Sequence, residues 1–218
     1  SDDSPVLLVL ASIVSACLRL RACPPALKFG VIVMIPKPGL PPDSPGNMRP
    51  ITLLPELGKL TSRVLAYRIT KVLHDHPEVM HSAQRAYIAD GSSKQCVSAL
   101  MNICEDYHDP RHRTDELIVV SYDVRKAFDS VQHFSITAAC SRLGMPAAFA
   151  EYVLATLTNA QSCVRCKHGK SEPFDIGTSV RQGDPLAALT FTIVMDARHA
   201  GLENNPGGEG KQALPVVP

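Results

Sequence analysis

Two carboxylates six residues apart, Asp123 and Asp129, mark the run Leu117–Val131 (LIVVSYDVRKAFDSV). Apolar and β-branched residues at this density favour a buried strand, so the pattern predicts one that ends on Asp123. A carboxylate in that position is costly unless a cation or a donor meets it. Mg²⁺ meets it well, because it takes few protein carboxylates and completes its shell with water and substrate phosphates. The backbone carbonyl of Val124 offers a further oxygen. The chemistry this suggests is nucleotidyl transfer, in which two divalent ions about 3.5–4 Å apart neutralise the attacking and leaving oxygens. A strand-end Asp that caps a turn is the plainer alternative. Asp129 reads as a helix-start cap or a local acceptor.

A second segment, Gly177–Ala197 (GTSVRQGDPLAALTFTIVMDA), is a glycine-marked turn running into an apolar helix. Asp184 is placed to cap that helix, and Pro185 suits its first turn. Gly183 permits close approach of the backbone to another group. Arg181 offers a planar fork to a phosphate. Taken by residue type alone, Phe128 is a core ring, and Lys37 and Arg49 are surface charges.

The elements that must hold these residues follow from periodicity. Val6–Leu20 reads as a helix, stopped by Cys23-Pro24-Pro25. Gly30–Ile35 is a short strand. Pro36–Pro50 holds six prolines and two glycines and reads as a loop of restricted backbone. Leu57–Leu73 is an amphipathic helix with Leu57, Leu60, Val64, Leu65, Ile69 and Val72 on one side. Ser93–Tyr107 is another, followed by a polar loop over 107–115. Phe134–Leu143 and Ala147–Thr158 are helices, Ser162–Lys167 and Ser171–Ile176 a hairpin, and Leu186–Ala200 the helix after RQGDP. The order is α+β in style, with helices packed on a small antiparallel sheet. From Glu203 onward periodicity is lost, and residues 201–218 are expected to be a disordered tail.

Composition sets the outer bounds. The 218 residues suffice for one large domain or two small lobes, and 45% hydrophobic residues permit a packed core. The net charge of +1 announces no nucleic-acid binder by itself. Lys28–Lys71, however, carries seven basic residues against two acidic ones, an excess able to attract phosphates. The seven cysteines have no framework spacing and read as reduced thiols of an intracellular protein. Cys163 and Cys166 with His168 suggest zinc only weakly, since residues three apart on a strand face opposite ways. Val6–Leu18 is too short to span a bilayer, so no membrane is expected and a buried helix is.

YDVRKAFD (Tyr122–Asp129) and RQGDPL (Arg181–Leu186) together resemble the first two palm motifs of reverse transcriptases, most closely those of non-long-terminal-repeat (LINE-like) retrotransposons. The resemblance continues upstream through IPKPG (Ile35–Gly39), NMRPITLLPELGKL (Asn47–Leu60) and HSAQRAY (His81–Tyr87), and covers roughly residues 5 to 200. It implies a partial right-hand polymerase: a fingers-like region over 1–115 and an incomplete palm over 116–200. It implies an RNA-directed DNA polymerase that adds deoxynucleotides to a primer 3′-hydroxyl with Mg²⁺. Its partners would be an RNA template, a DNA primer and deoxynucleoside triphosphates, with thumb and endonuclease regions in the full-length polyprotein. By the same resemblance Asp123 and the Val124 carbonyl are metal ligands, and Lys37 and Arg49 hold the triphosphate. Phe128 lies under the incoming sugar, Gln182 and Gly183 border the nucleotide and template, and Arg181 meets the template strand.

Three departures stand out. Ala187-Ala188 replace the usual Ser-Pro after RQGDPL, and Ala86 replaces a Gly in Q-x-G-F. No Asp-Asp pair follows Asp123, although the family's next palm motif is a hairpin bearing one. The expectation is therefore a fragment inactive by itself, truncated before that hairpin. An excised piece, an incomplete gene reading and a decayed element copy all stay open. A non-catalytic RNA-binding remnant and a group II intron maturase are the alternative readings.

Overall fold

The computed structural model describes residues 4–87, 91–108 and 117–204. Helix α1 (Pro5–Leu20) begins on a proline, whose missing N–H costs nothing there, and ends at Arg21 in the left-handed region. A single helical turn, α2 (Pro25–Lys28), leads into strand β1 (Gly30–Pro36). Strand β2 (Met48–Leu53) returns antiparallel to β1, pairing Arg49 with Ile35 and Ile51 with Val33. This corrects the expectation of a loop through Pro50. Pro50 lies opposite Met34 on a strand with a neighbour on one side only, the place in a sheet where a missing N–H is tolerated.

Helices α3 (Glu56–Asp75), α4 (Ser93–His108), α5 (His133–Arg142) and α6 (Ala147–Leu157) follow the expected order. Strand β3 (Ala160–Cys166) then pairs antiparallel with β4 (Gly169–Lys170) and β5 (Phe174–Ile176), as the hairpin reading required. It also pairs parallel with β1, Gly30 opposite Ser162 through Val33 opposite Arg165. The sheet is therefore mixed, not antiparallel, with order β2-β1-β3-β4 and β5 also on β3. It takes strands from both sides of the 115/116 division drawn on the sequence. The last helix, α7 (Ala187–Asn204), runs into the stretch read as a tail; residues 205–218 lie outside the described residues, as does most of the loop over 107–115.

The core lies among α5, α6 and α7, where Ile136, Cys140, Val153 and Ile193 are almost fully buried. α1 adds Cys17, and α3 adds Leu65 and Leu73. The buried stripe of α3 is Thr61, Ser62, Leu65 and Leu73, so Val72 faces outward, against expectation. The first turns of α1 are also exposed at Val6–Val9, so the predicted burial holds only from Val14 onward.

The largest correction concerns Leu117–Asp123. It has no regular secondary structure and joins no strand of the sheet, and Ile118 and Tyr122 are 77% and 89% exposed. Apolar density reports a wish for burial, whereas a strand also needs a neighbour for its N–H and C=O groups. Cys163 is buried and Cys166 exposed, so the two thiols lie in different environments. All seven cysteines are free. Among the described residues no helix is long and apolar enough to cross a membrane.

Candidate nucleotide-binding site

The RQGDPL turn docks on the free edge of β2. Thr52 donates its N–H to the Gln182 carbonyl at 2.7 Å. Gly183 sits at φ +114°, and a Cβ built there would lie 2.5 Å from the Thr52 carbonyl oxygen and 3.4 Å from Ile51 Cγ2. Glycine is thus required by this chain's own backbone, a reason separate from its expected place bordering the nucleotide. Gly183→Ala is expected to cost about 2–3 kcal/mol through combined strain and overlap, read as a lowered urea midpoint. Asp184 ends the turn as the sequence suggested: its side chain accepts from Leu186 N–H at 2.9 Å and its carbonyl from Ala187 N–H at 3.0 Å.

Arg49 shares a face of β2 with Ile51, because side chains alternate along a strand. That is the face over which Gly183 lies. Arg49 is exposed. Lys37, one residue beyond β1, donates its N–H to the Asn47 carbonyl at 2.9 Å and its Nζ to the Gly46 carbonyl at 2.8 Å. The two basic residues therefore flank one hairpin whose edge carries the Gln182–Gly183 turn. Lys28, Lys37 and Lys59 of the basic stretch are engaged with the protein itself, Lys59 with Glu56. Arg63, Arg68 and Lys71 remain exposed along with Arg49.

The segment after Asp123 is stitched to the same turn from the other side. Val180 donates its N–H to the Phe128 carbonyl at 3.0 Å, and Ser179 to that of Val131 at 3.1 Å. The Phe128 ring stacks on Phe191 of α7 with centroids 5.2 Å apart and planes inclined by 26°, partly buried against the core. Asp123 itself is exposed and Val124 half-buried. Among the described residues no group of three or more His, Cys, Asp and Glu converges as a metal cage. A hard cation at a single exposed carboxylate would draw its remaining ligands from nucleotide phosphates and water.

Arg181 departs from its sequence reading. It is only 4% exposed, and its fork donates to the carbonyls of Lys28 (Nη1, 2.5 Å) and Thr156 (Nη2, 2.8 Å). It faces inward and offers no template-facing group, so the expected phosphate contact is corrected. Burial lowers its pKa from the ordinary guanidinium range, and nearby Asp184 opposes that shift.

The reverse transcriptase (RNA-dependent DNA polymerase) family matches residues 35–211, which include the β1–β2 hairpin, the Asp123 segment and the RQGDPL turn. The chain belongs to the reverse transcriptase family. It is 34% identical over 190 residues to the Retrovirus-related Pol polyprotein from type-1 retrotransposable element R2 of Popillia japonica, covering 84% of this chain and 25% of that protein. It is 28% identical over 187 residues to the probable RNA-directed DNA polymerase from transposon BS of Drosophila melanogaster, with 86% and 20% covered. These relatives place this reverse transcriptase chain in the non-long-terminal-repeat branch. The chain spans a quarter or less of the length of these relatives.

One buried feature of the reverse transcriptase chain escaped the sequence reading. Asp196 of α7 is fully buried, forms an ion pair with Arg142 at the end of α5, and accepts the His81 N–H at 2.6 Å. Gln84 and Thr192 extend the tie: Gln84 Nε2 donates to the Thr192 carbonyl, and Thr192 Oγ1 to that of Ala86, each at 3.4 Å. HSAQRAY is thereby fastened along α7. A lone carboxylate inside the apolar run LTFTIVMDA was the available signal, since such a group demands a donor or a cation.

Proposed function

We propose that this chain is the nucleotide-handling part of an RNA-directed DNA polymerase that extends a DNA primer on an RNA template. The observation that carries this reading is the seat of the Gln182–Gly183 turn on the edge of β2, the strand that carries Arg49, and its stitching to the segment that follows Asp123. In the reaction the primer 3′-oxygen attacks the α-phosphorus of a deoxynucleoside triphosphate, and pyrophosphate leaves. Arg49 grips the triphosphate as a fork and Lys37 as a point charge, once its Nζ exchanges the Gly46 carbonyl for phosphate. Gln182 hydrogen-bonds the sugar or the template strand. Asp123 and the Val124 carbonyl hold Mg²⁺, which when bound supplies charge neutralisation at the reacting oxygens. Template, primer, thumb and endonuclease belong to the whole polyprotein.

The test is primer extension. A polypeptide containing this chain is expected to lengthen a DNA primer on RNA with Mg²⁺ and deoxynucleotides. No extension by either the chain or a longer polypeptide that contains it would contradict the reading. The exposed Arg49, Arg63, Arg68 and Lys71 favour a second, non-catalytic reading as an RNA-binding module. It predicts RNA affinity that falls steeply with salt and no extension under any condition.

Phe128 is proposed to exclude the ribose 2′-hydroxyl. Phe128→Val is expected to raise ribonucleotide incorporation relative to deoxynucleotide by roughly tenfold or more, measured as the ratio of kcat/KM values. An unchanged ratio leaves the ring with its Phe191 stacking role alone.

A further inference from the structure

Two cations from distant parts of the chain meet at the carboxyl end of α6. Lys28 Nζ donates to the carbonyls of Ala155 (3.1 Å) and Thr158 (2.7 Å). Arg181 donates to the carbonyl of Thr156 from Nη2 and to that of Lys28 itself from Nη1. The last carbonyls of a helix lack intrahelical partners and form the negative end of its dipole, so this is a favourable place to bury positive charge. Lys28 lies two residues before β1, and Arg181 immediately precedes Gln182. Both halves of the candidate site, the β1–β2 hairpin and the RQGDPL turn, are therefore referenced to one helix end. α6 is in turn fixed to the end of α1 by Arg21 and Glu151 at 2.8 Å.

We propose that Arg181 is a positioning residue: its buried fork, set on the end of α6 and on the Lys28 carbonyl, holds the Gln182–Gly183 turn against β2 and so sets nucleotide affinity without touching the nucleotide. The nucleotide half of this statement rests on the function proposed above; the positioning half stands on the geometry alone. A lysine cannot replace the fork, because a single ammonium does not reproduce two donors held in a plane toward carbonyls on two elements. A methionine fills similar space but leaves the Lys28 and Thr156 carbonyls without these donors.

The test uses the 218-residue chain as wild type, Arg181→Lys, Arg181→Met and Arg181→Ala. Amide hydrogen exchange at Thr52, whose N–H is bonded to Gln182, reads the position of the turn. Binding of a fluorescent deoxynucleoside triphosphate with Mg²⁺ reads the site. In Arg181→Met, which loses two hydrogen bonds, Thr52 exchange is expected to quicken by about tenfold or more and nucleotide affinity to fall by a similar factor. Arg181→Lys is expected between the two, and millimolar guanidinium is expected to restore Thr52 protection in Arg181→Ala. Wild-type exchange at Thr52 in a folded variant overturns the proposal, as does unchanged nucleotide affinity. Should Arg181→Met fail to fold, Arg181→Lys decides by the same two readings. A wild-type chain that binds no nucleotide overturns the functional reading instead, and Thr52 exchange still decides the positioning role.

Discussion

Asp123→Asn is expected to abolish primer extension by a polypeptide containing this chain, with kcat lowered by roughly three orders of magnitude or more. The substitution keeps the shape of the side chain and removes the charge that anchors the cation. Charge stabilisation by a bound metal is worth several kcal/mol in the transition state, and each 1.36 kcal/mol is a factor of ten. Stability is expected to stay within about 0.5 kcal/mol of wild type, because Asp123 is exposed. Single-nucleotide extension assays and a urea titration on the same preparations separate the two effects. Extension that survives in Asp123→Asn removes this carboxylate from the metal site.

The second large effect falls on folding. Asp196→Ala is expected to destabilise the chain by about 3 kcal/mol. It removes the acceptor of the part-buried His81 N–H and the partner of Arg142. Losing one member of a buried pair typically costs about 3–5 kcal/mol, and Arg142, with a third of its side chain exposed, recovers some of this from water. Asp196→Asn keeps an acceptor for His81 and is expected to lose less. Urea unfolding of the three proteins orders them, and equal midpoints would show that Asp196 is not the tie between α7, α5 and HSAQRAY.

Local pattern made much of this molecule legible. The helices over 5–20, 56–75, 133–142 and 147–157 follow from apolar spacing, prolines and Gly144, and the β3–β5 hairpin from its turn residues. Strand β2 was hidden by prolines, because composition cannot tell a loop from the edge strand on which Pro50 sits. The parallel pairing of Gly30–Val33 with Ser162–Arg165 joins segments about 130 residues apart, which no local pattern encodes. Leu117–Asp123 shows the opposite failure: its composition is that of a strand, and the neighbour that would make it one is not among the described residues.

At the site, residue types were legible and directions were not. Lys37 and Arg49 lie on the β1–β2 hairpin, and the Gln182–Gly183 turn sits on the β2 edge of that hairpin at Thr52. Arg181 has the same side chain whether it faces a phosphate or a helix end, and only the fold chose between them. Gly183 was flagged for close approach, and the group it approaches is the Thr52 carbonyl on β2, a six-residue strand whose first three residues, Met48–Pro50, composition reads as loop.

The central claim is that the Asp123 segment and the Gln182 turn form one cation-and-nucleotide site. Titrating Mn²⁺ with a deoxynucleoside triphosphate into the ¹⁵N-labelled chain tests it most directly. The amides of Asp123, Val124, Gln182 and Gly183 are predicted to broaden together, and to stay sharp in Asp123→Asn. Broadening confined to other residues, or unchanged by that substitution, would contradict the account.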